Sequence, residues 1–228
     1  MIFLKNIYEL FYQELCLCCN EALNIQESII CIHCRHDLPL TNFTSEKENL
    51  IEKAFYGKTQ IEAATALFYF FKKGTIQHLI HNLKYKNQQQ VGTFLGNWLG
   101  CELTNNSRFS TIDVIIPVPL HKKKLKSRGY NQVTTFGNSL AQNMKVPFQE
   151  NILSRISSTK TQTKKIRFNR WENVQELFFV ENEKALENKH ILLIDDIITT
   201  GATLEACSIT FSPIKKVKLS IATMAYSK

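Results

Sequence analysis

Residues 191–203 read ILLIDDIITTGAT, and this run decides how we expect the chain to fold. Four consecutive apolar residues, Ile191 to Ile194, are typical of a strand that is buried on both faces of a parallel sheet. A turn at Gly201 then opens a helical pattern that extends to about Phe211. In α/β folds, ligands bind beyond the carboxyl ends of such strands. The run therefore predicts an α/β fold and also the place of a ligand site within it.

The residues that follow the predicted strand suit a sugar phosphate. Two adjacent carboxylates can accept hydrogen bonds from neighbouring sugar hydroxyls, and a helix N-terminus offers unpaired N–H groups to a phosphate. A simple strand-to-helix turn capped by Thr200 is the alternative, but it does not explain the acid pair. The residues predicted to hold a ribose 5-phosphate are Asp195, Asp196, Thr199, Thr200, Gly201, Ala202 and Thr203.

Strand and helix patterns alternate over much of the chain and extend the α/β prediction. The 228 residues, 44% of them hydrophobic, are enough for one α/β core and a small appendage, and they exclude disordered, collagen-like and coiled-coil classes. This alternation predicts a parallel or mostly parallel sheet flanked by helices. The further predicted strands are 63–71, 114–116, 152–156, 177–180 and 217–224, and the predicted helices are 76–83, 91–99 and 131–144, the last capped by Asn131.

Five of the seven cysteines cluster near the N-terminus, and four of them have zinc-site spacing. Cys16, Cys19, Cys31 and Cys34 form C-x2-C-x11-C-x2-C, in which two tight turns each present a pair of thiolates to a tetrahedral Zn²⁺. Asn20 suits the left-handed turn that often follows such a pair. A segment this short has almost no core, so we expect the metal to supply its folding free energy. The residues that remain open as replacement ligands are Cys18, His33 and His36.

Positive charge is concentrated in one part of the chain. The net charge is +8, yet residues 121–170 alone hold twelve basic residues and one acidic residue, Glu150. A basic strip of this kind favours an anionic partner, either a phosphorylated small molecule or a nucleic acid. A solvated charged face without a partner is the alternative reading.

The N-terminal residues and the lengths of the apolar runs indicate in which cellular compartment we expect the protein. Leu4, Tyr8, Phe11 and Leu15 fall on one face of a predicted helix, and the apolar run around them is too short for a signal peptide. No stretch approaches the 18 to 20 apolar residues of a membrane span. We therefore expect a cytoplasmic protein without membrane insertion, in which clustered thiols are metal ligands rather than disulfides.

The 191–203 run resembles the phosphoribosyl pyrophosphate (PRPP) loop of type I phosphoribosyltransferases, and the chain as a whole resembles the ComF family of competence proteins. The motifs that carry the second resemblance are the four cysteines, Leu83-Lys84-Tyr85, Pro117-Val118-Pro119-Leu120-His121, Arg128-Gly129-Tyr130-Asn131-Gln132, and Thr161-Gln162-Thr163 with Arg167, Arg170 and Asn173. The resemblance implies a zinc module, expected at 1–45, a connecting strand and helices at 46–110, and a phosphoribosyltransferase-like domain at 111–228.

The resemblance also implies roles for individual residues. Asp195 and Asp196 would hold the ribose 2- and 3-hydroxyls of PRPP, bound with Mg²⁺, and 159–174 would be a mobile loop that closes over the site. The basic candidates for the catalytic step are Arg128, Arg167 and Arg170, because guanidinium binds phosphate bidentately. The loop that contacts pyrophosphate would run from Val118 to Lys124, with Val118, Pro119, Leu120, His121 and Lys122 as its candidate contacts.

Two functions follow from the resemblance and the charge. One is transfer of a phosphoribosyl group from PRPP to an unknown acceptor in a protein linked to DNA uptake during natural transformation. Thr199 replaces the Asp that serves 6-oxopurine bases, so we expect no such salvage role. We also expect no glutamine amidotransfer, because residue 2 is Ile2 and there is no room for a glutaminase domain. The other function is a non-catalytic accessory that binds single-stranded DNA through Arg, Lys and stackable aromatic side chains. Its expected partners also include other competence proteins.

Overall fold

The structure is a computed structural model that describes residues 13–155 and 178–228. Its helices are α1 (Ile32–His36), α2 (Leu50–Phe55), α3 (Thr75–Tyr85), α4 (Gln90–Thr104), α5 (Lys122–Arg128), α6 (Thr134–Met144) and α7 (Ala202–Phe211). Its strands are β1 (Ala63–Phe70), β2 (Val114–Pro117), β3 (Leu153–Arg155), β4 (Phe178–Val180), β5 (His190–Ile198) and β6 (Lys218–Ser227). Within these residues no helix is both long and apolar enough to cross a membrane.

Four strands form one parallel sheet in the order β1-β6-β5-β2. The strand β5 lies in the interior of this sheet, where Ile194 pairs with Pro117 on one side and with Ala222 on the other. A short antiparallel pair, β3 and β4, forms a separate two-stranded sheet. The predicted parallel α/β fold is confirmed, and the carboxyl ends of β2 and β5 meet at one edge, as the predicted ligand site requires.

Both faces of the sheet are covered, which explains the uninterrupted apolar runs. Successive side chains of a strand point to opposite faces, and in β5 Ile191 and Leu193 belong to the core that includes Phe211 of α7. Leu192 and Ile194 belong to the other core, which the helices α3, α4 and α6 build. A central strand with two buried faces has no place for alternating polar residues.

Several predicted boundaries shift in the structure. The strand β5 continues for four residues past Ile194, so the acid pair lies inside the strand rather than after it. The helix α6 begins at Thr134, so its predicted cap, Asn131, is wrong by two residues, and Val133 is the N-cap. The division into three domains remains a prediction. In the structure, β1 from the predicted connecting segment pairs along its length with β6 of the predicted phosphoribosyltransferase-like domain.

Close packing of α4 against α6 depends on three glycines that repeat every fourth residue. A Cβ atom on Gly96 would lie 2.5 Å from the carbonyl oxygen of Phe136 and 2.8 Å from Cβ of Ser139. Gly92 and Gly100 face α6 in the same way. The apolar periodicity of residues 91–99 predicts the helix but not this approach, because glycine carries no signal in an apolar pattern.

A substitution in this stripe tests the packing. We expect Gly96→Ala to lower the free energy of unfolding by about 1–3 kcal/mol through overpacking against backbone, although alanine is the better helix former. Chemical denaturation measures the change. Thr93→Ala, on the exposed side of the same helix, is the control and should change stability by less than about 0.5 kcal/mol. Equal stability of the two variants would contradict the close approach.

Candidate functional site

The acid pair of β5 is divided between the two faces of the sheet. Asp195 and Asp196 are consecutive in an extended strand, so their side chains leave it in opposite directions. Asp196 contacts side chains on the α3 and α6 face, whereas Asp195 is influenced by Arg155 on β3. The two carboxylates therefore do not form one flat acceptor surface in this state of the protein.

Asp196 is buried and held by two partners. Its Oδ2 atom lies 2.7 Å from Nζ of Lys84, at the end of α3, and accepts a hydrogen bond of 2.6 Å from Nε2 of Gln132. The Oε1 atom of Gln132 in turn accepts from the guanidinium of Arg128. This network neutralises a carboxylate that burial would otherwise disfavour. Sequence analysis quoted Lys84 and Gln132 within motifs but did not predict that they meet Asp196.

The surroundings of Asp195 disfavour its charged form. Burial, together with the charge of Asp196, raises the pKa of Asp195 to about 8, although the N–H of Asp196 donates a hydrogen bond of 2.8 Å to its Oδ1 atom. Lys84 and Arg155 lower that pKa only in part. An acid kept in a site that disfavours its charge is typical of a functional position rather than a structural one.

The turn after β5 has the features of a phosphate cradle. Gly201 is the N-cap of α7 and has a φ of 78°, a left-handed conformation that side chains rarely adopt. The Ala202 N–H lies 3.4 Å from Oγ1 of Thr200, a long contact for a cap. The residues of this turn that are exposed to solvent are Thr199, Thr200, Ala202 and Thr203. The N–H groups at the start of α7 are thus accessible to an anion.

The predicted pyrophosphate loop begins beside β5. The N–H of Val118 donates 2.9 Å to the carbonyl of Ile194, which continues the pairing of β2 with β5. The Asn131 amide donates 3.2 Å to the carbonyl of Val118 and so holds the loop from the far side. The loop is shorter than predicted, because residues from Lys122 onward form α5, whose N-cap is the His121 side chain.

Three basic residues are predicted for the catalytic step, and the structure describes one of them. Arg128 ends α5, where its guanidinium lies 5.3 Å above the ring of Tyr85 and donates to Gln132. Arg167 and Arg170 lie outside the described residues, as does most of the predicted mobile loop.

A groove of about 880 Å³ opens between the predicted pyrophosphate loop and the β3–β4 pair. Pro119, Leu120 and Lys122 line one wall, and Ser154 and Arg155 line the other. This volume falls in the range of small-molecule and cofactor sites. Arg155 is a site residue that sequence analysis missed, since it stands in a short strand without a motif.

The four predicted cysteines come together at a candidate metal centre. The thiols of Cys16, Cys19, Cys31 and Cys34 all lie within 4.8 Å of one another. The Cys19 and Cys31 sulfurs are 3.8 Å apart, which matches the edge of about 3.8 Å for a tetrahedron with 2.3 Å zinc–sulfur bonds. The donor set and its spacing therefore fit Zn²⁺.

Local backbone favours the thiolate form of one of these cysteines, Cys16. Burial raises the pKa of Cys16, but N–H groups of Cys19, Cys31 and Cys18 outweigh it and bring that pKa to about 6. The N–H of Cys31 approaches the Cys16 sulfur at 3.3 Å. Asn20 has a φ of 63°, so the predicted left-handed turn after the first cysteine pair is confirmed.

The three residues left open as replacement ligands do not belong to the group of four sulfurs. Cys18 packs into the core with Leu79 and Leu83, and burial raises its pKa to about 12. His33 and His36 are exposed and approach the carboxylate of Asp37. A hydrogen bond of 2.9 Å from Asn82 of α3 to the carbonyl of Leu17 attaches the segment that holds the four cysteines, here called the cysteine module, to the helices that cover the sheet.

Comparisons with known proteins agree with this architecture. A family model described as "Phosphoribosyl transferase domain" matches residues 134–210, which include the acid pair and the Gly201 turn. Competence protein F of Haemophilus influenzae is 31% identical over 134 residues, 57% of this chain and 58% of that protein. The DNA utilization protein YhgH of Escherichia coli O157:H7 is 27% identical over 129 residues, 55% of this chain and 56% of that protein.

A third relative matches a shorter segment. Competence protein ComFC of Bacillus subtilis is 35% identical over 91 residues, 40% of this chain and 35% of that protein. The chain thus spans little more than half the length of the first curated relatives that it matches. These matches support the predicted resemblance to the ComF family, and the parallel sheet agrees with the predicted phosphoribosyltransferase-like fold.

The raised pKa of Asp195 predicts a pH-dependent stability. An ordinary Asp has a pKa near 3.8 and Asp195 one of about 8, so between these values the unfolded chain is charged at this position while the folded chain binds a proton. Stability contributed by this group therefore falls as pH rises from 4 to 8 and is level above 8. We expect Asp195→Asn to stabilise the ligand-free protein, with a gain that grows from pH 5 to pH 8, in thermal unfolding measured at each pH. A gain that shrinks over this interval would contradict the assignment.

Removal of two sulfurs tests the metal centre. We expect the purified protein to hold about one zinc per chain, and Cys31→Ser with Cys34→Ser to lose it and to melt at a lower temperature, since metal binding supplies folding free energy. Elemental analysis and thermal unfolding measure both effects. Cys18→Ser is the control for a thiol next to the cluster and should keep the metal. Zinc retained in the double variant would refute the predicted ligand set.

Proposed function

We propose that this chain, a phosphoribosyltransferase-like protein of the ComF family, binds PRPP with Mg²⁺ at the carboxyl end of β5 and transfers its phosphoribosyl group to an acceptor. The observation that carries the proposal is the order of the carboxylates and the helix N-terminus at the carboxyl end of β5. Two adjacent carboxylates are followed within five residues by a left-handed glycine that opens α7. A DNA-binding surface alone has no use for an acid pair, which repels a phosphate backbone.

Each end of PRPP has a candidate partner in this arrangement. The residues from Thr199 to Thr203 would bind the 5-phosphate through helix N–H groups and hydroxyls. Asp195 and Asp196 would accept hydrogen bonds from the ribose hydroxyls. For this, Asp196 would share its contacts with Lys84 and Gln132, and Asp195, whose side chain leaves the strand in the opposite direction, would have to turn toward the same ribose. The loop from Val118 to Lys122 would bind the pyrophosphate.

The chemistry is the breaking of the bond between ribose C1 and the pyrophosphate oxygen while the acceptor nucleophile bonds to C1. Negative charge grows on the leaving pyrophosphate, and Mg²⁺, when bound, supplies compensating positive charge. The side chains of Lys84, Arg155 and Lys122 place further positive charge around the site. Such a site works mainly by positioning and electrostatics.

The names of the relatives suggest where this activity is used. Two of them are competence proteins and one is a DNA utilization protein. We propose that this chain likewise serves the handling of DNA taken up during natural transformation, in the cytoplasm.

A non-catalytic accessory that binds single-stranded DNA is the second candidate. The observation that favours it is α5, an exposed helix that has five cations among its seven residues. Positive charge on one helix attracts a phosphate backbone without sequence preference. The two candidates differ in one respect that is measurable: only the first requires PRPP.

Ligand-induced stabilisation tests the proposal. PRPP with Mg²⁺ at about 100 times its Kd should stabilise the protein by about 2.7 kcal/mol, a rise in Tm of roughly 5–10 °C for a chain of this size. Asp195→Asn with Asp196→Asn should abolish the rise. Asp113→Asn, an acid at the amino end of β2, is the matched control and should keep it. A flat response of the unaltered protein would favour the accessory function.

A further inference from the structure

The helix α5 separates two cavities, and its sequence spacing assigns side chains to each. Residues three and four apart share one face of a helix. Lys122, Leu125 and Gly129 line the large groove described above. Lys124, Ser127 and Arg128 line a second cavity of about 230 Å³ on the other side, against the end of α3.

This second cavity is positively charged. Three cations, Lys84, Lys124 and Arg128, contribute to its lining, and none of the described residues that line it is acidic, although Lys84 is also paired with Asp196 behind it. The hydrogen bond from Arg128 to Gln132 and the position of its guanidinium 5.3 Å above the Tyr85 ring hold one of these charges in place. Cations that are gathered and oriented in a concave site favour an anionic ligand.

The size and polar groups of the cavity narrow the class of anion. Its volume is below the 300–1,000 Å³ typical of sites that enclose a whole ligand of moderate size. It therefore suits one charged group of a larger molecule. Lysine and arginine donors, with the Asn87 amide beside them, match the acceptor oxygens of a phosphate.

One side chain connects this cavity to the proposed PRPP site. Lys84 lines the cavity, and its Nζ atom is also 2.7 Å from Oδ2 of Asp196. A ligand in the cavity therefore lies one side chain away from the carboxylate assigned to the ribose. Both phosphate ends of PRPP already have candidate partners, in the turn after β5 and in the loop from Val118, so the cavity is left for the second substrate.

We propose that the cavity between α3 and α5 binds a phosphate monoester of the acceptor, so that the acceptor is a phosphorylated molecule such as a nucleotide or a DNA strand with a terminal phosphate. This inference rests on the proposed function for its assignment to the acceptor. The binding of the phosphate monoester itself does not depend on transfer and is measured separately.

The experiment compares two fluorescent single-stranded oligonucleotides that differ only in a 5′-phosphate or a 5′-hydroxyl, by fluorescence anisotropy at fixed salt. We expect the phosphorylated strand to bind roughly tenfold more tightly, the effect of about one charge-assisted contact. Lys124→Ala should remove this preference. Lys126→Ala removes the same charge from the same exposed helix but lines neither cavity, and it should keep the preference.

Competition identifies what is recognised. If the phosphate monoester is bound, AMP lowers the affinity of the phosphorylated strand to that of the 5′-hydroxyl strand and adenosine does not. Recognition of a strand end leaves AMP without effect and overturns the assignment to the monoester group. Equal affinity for the two strands, or equal effects of the two lysine variants, also overturns the proposal. Failure of the proposed function has a different signature: a preference for the 5′-phosphate without any rise in Tm from PRPP and Mg²⁺ keeps the cavity but removes the transferase.

Discussion

The burial of β5 on both faces is the constraint on which the rest of the structure depends. Because successive side chains of a strand point to opposite faces of the sheet, the two consecutive carboxylates near its end lie in two different environments. Asp196 enters the side of α3 and α6, where a lysine and an amide compensate its charge. Asp195 enters the other side, where burial raises its pKa. Burial of these carboxylates is unfavourable, whereas apolar residues at the same positions would pack in the sheet without this penalty.

The surrounding elements are arranged so that the carboxyl edge of the sheet becomes a rigid frame. Asn131 holds the carbonyl of Val118, Gln132 joins Arg128 to Asp196, and the Tyr130 hydroxyl donates to the carbonyl of Leu83. Three successive residues before α6 thus connect β2, β5 and α3. The close contact of α4 with α6 fixes the position of this segment, since the glycines of α4 leave no space for α6 to shift.

The cysteine module extends the same frame. A metal held by its four sulfurs would have no open position for a substrate, as in structural zinc sites. Cys16, Cys18 and Cys34 nevertheless belong to the core that α3 and α4 build. The module therefore buries apolar surface that it cannot bury alone. Because α3 also presents Lys84 to Asp196, the helix that receives the module also contacts the proposed site.

Local patterns were sufficient for much of this protein. The apolar run before Asp195 determined a parallel α/β sheet, the Gly201 turn determined where α7 begins, and cysteine spacing determined the four sulfurs that meet, because each of these features acts within a few residues. The partners of Asp196 come from positions 84 and 132, more than sixty residues away in the chain, and no periodicity reports such a distance. Tertiary packing also set the separation of the two carboxylates, the extent of α5 between two cavities, and the choice of Cys19 over Cys18, since all three depend on which face of an element is covered.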